Sequence, residues 1–193
     1  MKIIGVGCGP GMLTEEAIRE ISRAAIIFGS DRAIELAKSY IPGDCVVKTI
    51  DDFKNLNKIS EDSIILSTGD PMLAGLGYLS GEVVPGISSL QVATARLHIP
   101  VSRVSVVVAH GKGHKKGMQD TVEEVKRGKI VFLLADPKFE VRELYTQLAL
   151  LSPPVRIALC ENLGYPGEHI LIRDIHSPPE PTEALYSLVI GDF

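Results

Sequence analysis

Apolar residues along this chain fall into short runs, each separated from the next by an amphipathic stretch bounded by glycine, proline or a small polar residue. Runs of four or five apolar residues are too short for a buried helix. Between glycines they read as strands, and the longer mixed stretches read as helices laid across them. In the first half, strands are predicted over residues 3–6, 25–28, 45–48, 63–67 and 82–84. Thr14 is a predicted helix cap, with Glu15 and Glu16 in the first turn complementing the dipole of a helix to about residue 24. Ser30 or Asp31 caps a second helix to about residue 39. Residues 73–79 read as a third, and Ser88 caps a fourth that runs to about residue 97. Strand and helix alternate, which is the signature of an α/β fold.

The pattern changes near His98-Ile99-Pro100. Strands are predicted over 104–109, 130–134, 155–160, 169–173 and 186–191, with helices over 119–127 and 139–151. No long helix separates the last two strands, so antiparallel pairs and a mixed sheet are expected there. A domain boundary is placed at 99–104, giving one α/β domain over 1–101 and another over 102–193.

Composition narrows the function classes. The 193 residues carry a net charge of -4, with 45% hydrophobic and 23% charged side chains. No global basic field is available for nucleic acid. Three scattered cysteines, Cys8, Cys45 and Cys160, form no CxxC pair. That argues for a reducing compartment and against a disulfide framework or zinc ribbon. No signal peptide or membrane-length apolar run is visible, so a cytoplasmic location is expected.

Gly5-Val6-Gly7-Cys8-Gly9-Pro10-Gly11 lies between a strand and a helix. It is not a dinucleotide fingerprint, because the third glycine position falls on Pro10 or Met12 depending on the frame. Glu15 and Glu16 also crowd the helix start, where a pyrophosphate needs a positive field. The glycines instead let another molecule approach the backbone. Residues 111–117 hold lysines but lack the P-loop order. The His110–Lys116 stretch is the strongest basic cluster in the chain, suited to attracting a polyanion. Glycines between His110 and His114 argue against one helix face carrying both rings, and no third ligand is evident, so no metal site is expected.

Three segments together resemble the tetrapyrrole methylase family: the opening glycine loop, Ser67-Thr68-Gly69-Asp70-Pro71-Met72, and Val84-Pro85-Gly86-Ile87-Ser88-Ser89-Leu90-Gln91-Val92-Ala93. Ala95-Arg96-Leu97 and Glu161-Asn162-Leu163-Gly164-Tyr165-Pro166 are most similar to the branch that methylates carbon-5 of cobalt-precorrins. The resemblance implies two α/β domains with a cleft between them for S-adenosylmethionine (SAM), the methyl donor. It implies SAM contacts from Cys8, Gly69, Asp70, Leu73, Ser88, Ser89, Leu134 and Leu163. It implies substrate contacts from Gly9, Pro10, His110, Lys112 and Lys115. No catalytic acid or base is indicated. The resemblance also implies a homodimer, and a separate enzyme for carbon-15 methylation and decarboxylation, since aerobic relatives carry that activity as a fused second domain. Another precorrin methylase, a diphthine synthase, a non-catalytic SAM or tetrapyrrole binder and a nicotinamide oxidoreductase are the alternatives.

Overall fold

The computed structural model describes residues 1–50, 56, 62–110 and 113–193. It divides into two compact units, Met1–Ser89 and Leu90–Phe193.

The first unit is a parallel five-stranded sheet with strand order β3-β2-β4-β1-β5 among the described residues. Its strands are β1 (Lys2–Gly5), β2 (Ile26–Gly29), β3 (Val46–Thr49), β4 (Ile64–Ser67) and β5 (Glu82–Val84). Strands of a parallel sheet are covered on both faces and so read as unbroken apolar runs. Ile3, Ile4, Ile65 and Leu66 are accordingly buried. Helix α1 (Glu15–Ile21) starts where Thr14 Oγ1 accepts the Ala17 N–H at 3.1 Å. Helix α2 (Asp31–Ala37) is capped in the same way by Ser30.

The third predicted helix is a correction. Only α3 (Pro71–Ala74) forms, in place of a helix over 73–79. The reason is two glycines the apolar pattern passes over. A Cβ on Gly75 would sit 2.4 Å from Ser67 Oγ, and one on Gly77 2.8 Å from the Pro71 carbonyl oxygen. The chain folds back on itself here instead of continuing as a helix.

The second unit begins with α4 (Ser89–Arg96), one residue after its first position. Its mixed sheet has the order β6-β7-β10-β8-β9, from β6 (Val104–Ala109), β7 (Ile130–Ala135), β8 (Arg156–Glu161), β9 (His169–Asp174) and β10 (Tyr186–Gly191). Only β6 and β7 pair in parallel; the other three pairings are antiparallel, as the missing crossover helix required. Helices α5 (His114–Lys126) and α6 (Val141–Leu148) cover one face over a core that includes Leu133, Leu144, Leu148, Ile157 and Leu188. Helix α5 starts five residues before the predicted position. Gly117, read as a loop residue, lies inside it because a Cβ there would come within 2.6 Å of Ala109 Cβ. A glycine costs about 1 kcal/mol in a helix, but here it lets helix and strand pack closely. Among the described residues, no helix is long and apolar enough to cross a membrane.

Candidate functional site

In the first unit the candidate residues gather at the carboxyl ends of three neighbouring parallel strands, β4, β1 and β5. This is where open α/β sheets hold ligands. The loop after β1 and the loop after β4 are joined at Gly7 and Gly69, which exchange main-chain hydrogen bonds of 3.3 and 2.8 Å. The Cys8 N–H donates to the Ile87 carbonyl at 2.9 Å, bringing in the loop after β5. Asp70 completes the link. Its Oδ1 accepts from the Met72 N–H at 2.7 Å, capping α3, and its Oδ2 accepts from the Gly86 N–H at 3.0 Å. One carboxylate thus caps a helix and ties two loops together.

Glycine is required at these bends for two different reasons. Gly7 and Gly69 have φ of +80° and +69°, a region that disfavours side chains. Around Gly69 there is room, with the nearest atom to a notional Cβ at 4.0 Å, so its constraint is conformational. Gly5 and Gly86 have no room. A Cβ on Gly86 would lie 2.2 Å from the Gly69 carbonyl oxygen. The main chains of the three loops therefore run in direct contact. Cys8, Gly9, Gly69, Asp70, Ser88 and Ser89 all belong to this cluster, with Gly9 and Ser88 buried and Pro10 exposed at its edge. Leu73 is half-buried in α3. The Cys8 thiol approaches Met12 Sδ at 3.6 Å.

In the second unit Leu134 is half-buried near the end of β7, and Leu163 is buried in the turn after β8. That turn bends through Asn162 (φ +50°) and Gly164 (φ +82°). Glu168 holds it by accepting from the Gly164 N–H at 2.7 Å and pairing with Arg96 Nε at 2.6 Å. Burial opposes ionisation of Glu168, but the Gly164 and Arg96 bonds prevail and its pKa is lowered. Glu168→Ala is expected to cost about 1 kcal/mol and to loosen the Leu163 turn. Faster amide exchange at 162–166, with the rest of the second unit unchanged, is the measurement that checks it.

His110, His114 and Lys115 lie where β6 and β7 end; Lys112 and Gly111 fall outside the described residues. Here the fold supplies a residue that sequence reading missed. Asp136 directly follows β7, and its Oδ2 lies 2.8 Å from His114 Nε2 and 3.9 Å from His110 Nδ1. A carboxylate immediately after an apolar strand, before a proline, was the available signal. Among the described residues no three His, Cys, Asp or Glu side chains are set to hold a metal ion. An open cavity of about 530 Å³ lies beside this edge, lined in part by Phe139, Arg142, Glu180, Thr182, Glu183 and Tyr186. The Arg142 guanidinium grips Glu180 through two bonds, at 3.0 and 2.8 Å.

Residues 2–177 match the family of Tetrapyrrole (Corrin/Porphyrin) Methylases. The chain belongs to that family. It is 30% identical over 189 residues to the probable cobalt-precorrin-7 C(5)-methyltransferase of Methanocaldococcus jannaschii, covering 88% of each chain. Its fold is similar to the crystal structure of the cobalamin-biosynthesis precorrin-6Y methylase of Archaeoglobus fulgidus, with a TM-score of 0.77 and 30% identity over 100% of this chain and 97% of that one. The fold also matches the uroporphyrin-III C-methyltransferase of Thermus thermophilus complexed with S-adenyl homocysteine, at a TM-score of 0.70, 19% identity and 97% and 90% coverage. In this tetrapyrrole methylase the three glycine-bearing loops described above follow β1, β4 and β5.

Proposed function

We propose that the chain transfers a methyl group from SAM to carbon-5 of a cobalt-precorrin, converting cobalt-precorrin-6B to cobalt-precorrin-7 in oxygen-independent cobalamin synthesis. The observation that carries this reading is the cluster of three loops whose main chains interlock at Gly7, Gly69 and Gly86. Main-chain N–H and C=O groups held this rigidly suit a zwitterionic donor with a ribose and an adenine, which needs several fixed hydrogen bonds and little side-chain bulk. The name of the 30%-identical Methanocaldococcus jannaschii relative, a probable C(5)-methyltransferase, supports carbon-5 as the position methylated.

In this reading Gly69, Asp70, Leu73, Ser88, Ser89 and Cys8 of the first unit contact SAM, and Leu134 and Leu163 of the second pack on its adenosyl group. Gly9, Pro10, His110, Lys112 and Lys115 serve the substrate, whose acetate and propionate carboxylates a cationic segment attracts. The protein acts in the cytoplasm as a homodimer, and a separate enzyme modifies carbon-15. SAM already carries its electrophile, so the chain's main task is to align the methyl carbon with the attacking ring carbon; such alignment lowers barriers by several kcal/mol, on the order of 7–11 at best.

The test is anaerobic incubation with SAM and cobalt-precorrin-6B. S-adenosylhomocysteine should form in step with a new methyl at carbon-5, located by NMR. Tight binding of both ligands with no S-adenosylhomocysteine would make the chain a binder, and a methyl on another carbon would make it a different methylase of the family.

A further inference from the structure

A macrocycle that carries many carboxylates is best received by cations near the place where it reacts. The donor loops follow β1, β4 and β5, so the ring carbon must come to the same carboxyl edge of the first sheet to meet the methyl group. Among the described residues, the lysines of this unit are already occupied. Lys2 pairs with Glu20 and Glu82, Lys38 pairs with Glu35, and the Lys48 ammonium lies 5.5 Å from the centroid of the Phe28 ring. Arg32 differs from all three.

We infer that Arg32 binds the substrate: its guanidinium, held beside the donor loops by Thr68, takes a peripheral carboxylate of the tetrapyrrole. This rests on the methyltransferase reading above and uses residues of the first unit alone. The two residues come from different elements. Arg32 lies in the first turn of α2, just after β2, and Thr68 directly follows β4. Arg32 Nη2 donates to Thr68 Oγ1 at 3.0 Å, joining residues 36 positions apart in the chain. Strand β2 is the neighbour of β4 in the sheet. Thr68 is followed at once by Gly69, which bonds to Gly7, and by Asp70, which holds Gly86. The guanidinium therefore stands one strand out from the interlocked loops, on the side away from β5.

The charge of Arg32 is unspent. Among the described residues no carboxylate lies within ion-pair distance of it, and its bond to Thr68 goes to a neutral hydroxyl. The adjacent acid, Asp31, is engaged at the end of β3, where its Oδ1 accepts from Thr49 Oγ1 at 3.1 Å. Nor does the helix account for Arg32. A cation in the first turn faces the positive end of the helix dipole, and Ser30 already caps α2 through the Ala33 N–H at 3.3 Å. An exposed residue that works against its own helix fits a role outside the fold.

The chemistry of the group suits a carboxylate. A guanidinium is a planar fork of five N–H donors, and two parallel ones match the two oxygens of a carboxylate. The Thr68 bond occupies one donor and fixes the direction of the rest. Less side-chain freedom is then lost when the anion arrives, which favours binding. SAM also carries a carboxylate, so the test has to separate the two ligands.

Arg32→Ala, Arg32→Lys and Thr68→Val make that separation in the full-length protein. Arg32→Ala should raise the KM for cobalt-precorrin-6B about 10–30-fold. Its kcat and its SAM dissociation constant, the latter read by calorimetry, should stay within about twofold of wild type, as expected for a contact made equally in the ground and transition states. Arg32→Lys keeps the charge without the fork and should raise the KM only about threefold. Thr68→Val removes the brace and keeps the guanidinium, and should raise the KM by no more than about threefold. An Arg32→Ala protein with a wild-type KM overturns the assignment. So does a SAM dissociation constant that rises in step with the KM, which would make the anion the donor's own carboxylate. A Thr68→Val protein as impaired as Arg32→Ala also overturns it, because Arg32 would then serve only to brace the loop. Wild-type protein that forms no S-adenosylhomocysteine instead overturns the reading beneath it.

Discussion

Gly86→Ala is expected to lower the melting temperature by roughly 6–12 °C and to weaken SAM binding at least tenfold. The added methyl has nowhere to go. It would lie 2.2 Å from the Gly69 carbonyl oxygen and 2.9 Å from both Gly5 Cα and the Gly5 carbonyl carbon. All three atoms are backbone, so no side chain can swing aside. Relief requires separating the loop after β5 from the other two, and that lengthens the Gly86 N–H to Asp70 Oδ2 bond as well. Forcing extra volume into a packed site costs about 3 kcal/mol at the upper end of common values. Each kcal/mol shifts the melting point by about 2–4 °C in a chain of this size. Gly11→Ala is the matched control. Gly11 has φ of +74° but nothing within 4 Å of a notional Cβ, so it bears only backbone strain of about 1 kcal/mol. Thermal melts and SAM calorimetry on both variants decide the matter. A Gly86→Ala protein melting within 2 °C of wild type would show that the loops are not interlocked.

How much of this was legible beforehand depends on the range of the interaction. Strands and most helices followed from local periodicity, because a buried parallel strand such as Ile64–Ser67 has apolar residues at both parities, and Thr14 and Ser30 cap helices through bonds three residues long. The switch from a parallel to a mixed sheet was readable from the missing helix between the last two strands. What failed depended on distant contacts. Gly75 and Gly117 look alike in sequence, yet one ends a helix against Ser67 and the other sits inside a helix against Ala109. Only the neighbour across space separates the two. The site divides the same way. The glycine loops stood out as motifs, whereas Asp136 meets His114 across 22 residues and Glu161 meets Thr182 across 21. Charged residues with ordinary local surroundings give no sign of such partners.

Glu161 leads to the second large effect. Its side chain is only 4% exposed, an unusual position for a carboxylate. Oε1 accepts from the Thr182 N–H at 2.6 Å and the Glu183 N–H at 2.9 Å, and Thr182 Oγ1 lies 3.1 Å away; His169 Nδ1 lies 3.6 Å from Oε2. The end of β8 thereby clamps the 182–183 segment, which lines the cavity. Burial alone would raise this carboxyl's pKa, but the Thr182 and Glu183 donors outweigh burial and the pKa is lowered from its ordinary 4.5. A lowered folded-state pKa means that the clamp contributes its full stability above about pH 4.5 and loses it as the pH falls through the lower, folded value. Glu161→Ala should therefore cost about 2 kcal/mol at pH 7, roughly 4–8 °C in melting temperature, and the gap from wild type should narrow steadily below pH 4.5. Glu161→Gln separates hydrogen bonding from charge. Its amide oxygen can take the place of Oε1 and keep both main-chain donors, while its NH2 can donate to Thr182 Oγ1. It should lose only about 1 kcal/mol at pH 7, and that loss should also shrink in acid because the wild-type group is then neutral. Denaturant melts of the three proteins between pH 3 and 7 provide the comparison. Parallel stability curves across that range would mean that ionised Glu161 does not hold the segment, and that the 182–183 turn is fixed by its own backbone.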